Sequence, residues 1–196
     1  MKLQILSVQE IAELRQIYGN IDFDDDDNRV NEVFTTGVLD RFDRILNEEE
    51  AFKLLTNRYQ DSKDEVRYVE CFKKIFEWTG KSDVIVRNDL YNDNIRTYKK
   101  EMTQEQYRYL LLIKQSIKGE FIQTNDIKVL VFLFKLALQT YTTPDFFFPS
   151  INSVILGNHD MSLPVFCKSE DTIRKLETIV NQSGLYIRNI ETKIQF

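Results

Sequence analysis

Residues 28–46 read NRVNEVFTTGVLDRFDRIL. Val30, Val33, Phe34, Val38, Phe42 and Ile45 recur at the three-and-four spacing that lines one side of a helix. Thr35, Thr36 and Gly37 weaken the middle, because β-branched side chains lose rotamer freedom in a helix and glycine loses backbone entropy. The periodicity predicts a helix over 28–46. The fold class turns on this reading, since with this segment helical nothing before residue 83 reads as strand.

Upstream, Ser7 and Glu10 have the spacing of a capping box, in which each side chain satisfies a free backbone N–H at a helix start. A helix over 8–18 follows, ended by Gly19. Downstream, Asn47 is placed to cap a helix with Glu48, Glu49 and Glu50 in its first turn and Phe52, Leu55 and Tyr59 on its inner side. Asp64 opens the next, striped by Tyr68, Val69, Phe72, Ile75 and Phe76 and closed by Gly80. Residues 83–91, DVIVRNDLY, combine β-favouring Val84, Ile85 and Val86 with turn formers and predict a short strand or irregular arm. Thr103 and Gln106 form a second capping box, for a helix reaching Gly119.

Asn125 or Thr124 then caps a helix that is apolar nearly all round over 129–138, the pattern of a helix covered on most sides. In 144–149, PDFFFP, the flanking prolines force an extended segment whose three phenylalanines pack as core. Beyond it, 153–157, 163–167 and 185–194 are β-rich, and Ser169 caps a helix ending near Gly184. The expectation is one α+β domain over 1–196: a predominantly helical N-terminal two-thirds packed against a small, mainly antiparallel sheet formed by the C-terminal third.

Composition supports a packed core. Hydrophobic residues make up 42% of 196, and six Gly with three Pro leave little room for disorder or for a chain of tight turns. The first residues lack the apolar stretch of a secretory signal, and the longest apolar run is too short to span a bilayer. Cys71 and Cys167 have no metal or disulfide spacing and fit a reducing, cytoplasmic setting.

Net charge is −5 and unevenly spread. Residues 22–50 hold eleven carboxylates against Arg29, Arg41 and Arg44, a local charge of −8, while the remainder of the chain is at +3. Nucleic acid and anionic membranes are disfavoured as partners, and a basic protein surface is favoured. Asp22, Asp24, Asp25, Asp26, Asp27, Glu32, Asp40 and Asp43 are the candidate contact residues. An EF-hand counted from Asp22 fails, with Asp27 where the turn needs Gly and Val33 where a bidentate Glu is required. A looser calcium or magnesium site on Asp24, Asp26 and Glu32 stays open, as does a merely solvated loop.

Gly157-Asn158-His159-Asp160 resembles the GNHD signature of calcineurin-like metallophosphoesterases. The resemblance implies Asn158 and His159 as contacts to metal and phosphate. It extends over four residues, and the additional histidines of a two-metal centre are missing because His159 is the only histidine. On turn chemistry alone, Gly157 and Asn158 join two antiparallel strands. No phosphate-binding glycine loop or nucleophile–base pair is present, and both cysteines read as core. The expected function is therefore a non-enzymatic binding module, an inhibitor or immunity-type protein of a bacterium or phage, with no catalytic residues and no cofactor. A metal-dependent phosphoester hydrolase and a structural oligomer subunit exposing Phe146 to Phe148 are the alternatives.

Overall fold

The computed structural model describes residues 2–19, 33–55, 58–158 and 161–192. Its centre is an eight-stranded sheet, antiparallel at every pairing. The strands are β1 (Gln4–Ile5), β2 (Thr35–Asp40), β3 (Val84–Arg87), β4 (Phe121–Thr124), β5 (Asp145–Phe148), β6 (Ser153–Ile155), β7 (Leu163–Cys167) and β8 (Tyr186–Glu191), in the order β1-β4-β3-β5-β6-β7-β2-β8. The α-helices among the described residues are α1 (Val8–Tyr18), α2 (Glu48–Leu55), α3 (Arg58–Trp78), α4 (Gln104–Ser116), α5 (Ile127–Leu138) and α6 (Glu170–Asn181). None of the described helices is long and apolar enough to cross a membrane.

This overturns the expected division into a helical N-terminal two-thirds and a C-terminal sheet, since four of the eight strands precede residue 125 and alternate with helices. The decisive stretch is Thr35–Asp40, a six-residue strand where a helix was predicted. Thr35, Thr36 and Val38 favour the pleated backbone once partners exist on both sides, and β2 lies between β7 and β8. Gly37 is required by packing. A Cβ there would come 2.7 Å from Ile187 Cγ2 and 3.2 Å from Ile173 Cδ1, so β8 and α6 close directly over it. Those partners lie more than 120 residues downstream, beyond the reach of local periodicity.

Locally encoded helix starts match their expectations. At α1 the Ser7 N–H donates to Glu10 Oε2 at 2.6 Å and the Glu10 N–H to Ser7 Oγ at 3.3 Å. At α4, Thr103 and Gln106 exchange the same pair of bonds, at 2.9 and 3.2 Å. Asn47 Oδ1 accepts from the Glu50 N–H at 3.0 Å to start α2. Two starts differ: α3 begins at Arg58 rather than Asp64, and α5 is capped by Asp126, whose side chain accepts from the Lys128 N–H.

The sheet has two covered faces. One packs on α3, α5 and α6, where Phe72 stacks on Phe134 with centroids 4.4 Å apart and Phe146 meets Phe72 at 5.1 Å. The other carries α1, with Tyr18 edge-on to Phe147 at 5.3 Å. β5 supplies both: Phe146 and Phe148 face one core, Phe147 the other, and all three are buried. Strand alternation between two covered faces turns a three-phenylalanine run into core rather than an exposed oligomer face.

Candidate functional site

The acidic stretch divides into an inward and an outward part. Asp22, Asp24, Asp25, Asp26, Asp27 and Glu32 lie outside the described residues. Asp40 is only 5% exposed at the end of β2. Its Oδ2 accepts from Arg188 Nε at 2.8 Å and Ser162 Oγ at 2.9 Å, and its Oδ1 from the Phe42 N–H at 3.1 Å. Its carboxylate is spent within the fold. Asp43, Glu48 and Glu49 are exposed. Glu50 turns back to Arg44, which donates to both its oxygens at 2.5 and 2.8 Å. That pair, then the Asn47 N–H, lowers the Glu50 carboxyl to about 2.

Beside Asp40 lies a second ion-pair cluster. Asp64 on α3, 1% exposed, receives Arg41 at 3.1 Å and Arg67 at 3.2 Å. The Tyr68 hydroxyl donates to the Met161 carbonyl, and burial first, then nearby Asp40, pushes its pKa well up. Two of these contacts reach the β6–β7 connection, Asp40 through Ser162 and Tyr68 through Met161. Asn158 Nδ2 donates to the Ser162 carbonyl at 3.1 Å, and Met161 holds a left-handed backbone with φ +61°. His159 and Asp160 lie outside the described residues. Gly157 has a packing role: a Cβ there would sit 2.6 Å from the Pro144 carbonyl oxygen. The described half of the signature, Gly157 and Asn158, thus lies in the connection between two antiparallel strands, which Asp40 braces through Ser162 in a way that local spacing could not reveal.

Among the described residues no group of three or more His, Cys, Asp or Glu side chains is placed to hold a metal ion. Cys71 and Cys167 are buried free thiols, pushed by burial up to about 12 and about 11 respectively. At neutral pH both stay protonated and unreactive.

The feature that sequence reading missed is a groove of about 430 Å³ on the α1 face. Leu6, Leu14, Ile17 and Ile85 form its apolar surface, and Glu10, Glu13 and Asp83 are its charged members. No Lys or Arg is among the described residues that line it. Its carboxylates have neutral partners: Glu13 accepts from Gln9 Nε2 at 3.2 Å, Asp83 from Gln123 Nε2 at 2.8 Å, and Glu10 from the Ser7 N–H and, at 3.4 Å, Gln4 Nε2. In sequence these acids look like an ordinary helix surface and a turn residue. Only the pairing of β3 and β4, with α1 laid across that end of the sheet, brings them together. No family model matches this chain, and comparison with curated proteins and with solved structures finds no match either.

Proposed function

We propose that this chain is a non-enzymatic binding module, an acidic inhibitor or immunity-type protein that engages a basic protein surface through residues 22–50. The supporting observation is the fate of the stretch's cations. Arg41 is drawn onto buried Asp64 and Arg44 onto Glu50, while Asp43, Glu48 and Glu49 face outward. The described part of the stretch therefore adds to the negative charge of the run 22–27. A single-sign patch raises encounter rates with an oppositely charged surface and makes the complex salt-sensitive. Asp40 belongs to the scaffold of this face rather than to its contact surface. We place the protein in the cytoplasm, where two free thiols persist.

The test uses a partner captured from the source cell by the immobilised chain. Replacing Asp24, Asp25, Asp26 and Asp27 with Asn is expected to weaken that complex about tenfold or more at low salt and to flatten its salt dependence. Unchanged affinity in this quadruple variant overturns the proposal.

A further inference from the structure

We propose that the groove beside α1 is a second docking site, one that takes a short basic and apolar peptide segment. An apolar side chain would lie on Leu14, Ile17 and Ile85, and a lysine or arginine head would meet Glu13 and Asp83 at the rim. The proposal rests on the basic-partner reading only for the source of that segment.

Charge complementarity identifies the occupant. Elsewhere in the described chain, the buried carboxylates Asp40, Asp64 and Asp145 each face a guanidinium. In the groove, Glu13 and Asp83 have, among the described residues, only glutamine amides, which satisfy a hydrogen bond and leave the charge in place. Three carboxylates around one depression make a local negative potential that a cation entering it would relieve. The apolar surface selects further. Ile17 is 40% exposed at the wall, while Leu14 and Ile85 are held in the core beneath α1, so the floor is rigid and one wall is open. Water on that surface is released by an aliphatic side chain and not by a bare ammonium. The volume lies within the range of ordinary ligand clefts, which run to roughly 300–1,000 Å³. A second copy of the chain is a poor occupant, because two molecules at −5 repel.

The probe is a seven-residue synthetic peptide of alternating leucine and lysine, blocked at both ends, with an all-lysine peptide and a leucine–glutamate peptide as comparisons. Binding to the full chain is followed by fluorescence anisotropy. The leucine–lysine peptide is expected to bind, and the other two are expected to bind at least about tenfold more weakly. Glu13→Lys with Asp83→Lys should cost at least about tenfold in affinity, and Ile17→Ser about threefold, each at unchanged melting temperature. The milder pair Glu13→Gln and Asp83→Asn should shift affinity in the same direction by less, and guards against misfolding of the lysine variant.

Equal binding of the all-lysine peptide, no binding to the native chain, or full affinity in both double variants overturns the groove. The quadruple Asp→Asn variant in the run 24–27 separates the two ideas, because it should hold the leucine–lysine peptide within about twofold. Loss of the peptide in that variant with retention in the groove variants defeats the groove and spares the acidic run. The opposite pattern, with the cell partner still bound, defeats the run and spares the groove.

Discussion

The carboxylates under the β6–β7 turn and those along the α1 groove are chemically the same groups in opposite circumstances. Asp40 and Asp64 are buried, and each is matched by arginine at 2.8 to 3.2 Å. Glu13 and Asp83 stand at an open depression and, among the described residues, have amide partners alone. The first arrangement is obligatory, since a charge removed from water must be paired or the fold pays its solvation. The second is a choice, because an exposed carboxylate costs the native state little. Function is therefore to be sought where charge is left unmatched, and stability where it is not.

Breaking the matched side should give the largest effect. Asp64→Ala removes the buried carboxylate that Arg41, with its side chain only 7% exposed, and Arg67 share. Removing one partner of a buried pair typically costs about 3–5 kcal/mol, so urea denaturation should show a loss of that order. Asp40→Ala, which removes the carboxylate that Arg188, Ser162 and the Phe42 N–H bond to, should behave alike. A loss below about 1 kcal/mol in both would mean that these pairs do not brace the turn.

A smaller effect of opposite sign is expected on the α1 face. The Tyr18 hydroxyl is buried without a hydrogen-bond partner among the described residues, and burial pushes its pKa well above the ordinary tyrosine value. Tyr18→Phe keeps the ring on Phe147 and removes an orphaned polar atom, so the midpoint of unfolding should rise by the equivalent of about 1 kcal/mol. A fall would show that the hydroxyl has a partner in solution.

Glu13→Lys sharpens the comparison from the unmatched side. It should change stability by no more than about 0.5 kcal/mol, as an exposed substitution that breaks only a surface amide bond does. The smallest effect is electrostatic and local. Glu50 is lowered to about 2, so its bonds to Arg44 and the α2 start persist above the ordinary carboxylate range and are lost as pH falls through the folded value. A side-chain NMR titration of Glu50 should show its midpoint well below the ordinary glutamate value. A midpoint at that ordinary value would mean that the Arg44 pair does not hold in solution.

These contrasts also explain what could be read from the sequence. Ser7 with Glu10, and Thr103 with Gln106, specify helix starts because both partners of each bond lie three residues apart. Thr35–Asp40 misled because its apolar spacing fits a helix, while its strand partners are β7 and β8. Phe121–Thr124 went unread for a similar reason, four residues between two helices whose pairing with β3 has no local trace. The acidic run was plain, being contiguous. The groove was not, since Glu13 and Asp83 are 70 positions apart and become neighbours of one depression only through the sheet.

The position of β2 has a consequence for how the chain is made. Its two neighbours, β7 and β8, begin at residues 163 and 186, and α6 between them covers Gly37. At synthesis rates of roughly 5–20 residues per second, β2 waits about ten seconds on the ribosome for its first partner. Sheet closure is thus a late, long-range event of the kind that slows folding. Pulsed hydrogen exchange during refolding should find the α4 amides protected before those of Val38 and Leu39, and early protection of β2 would contradict that order.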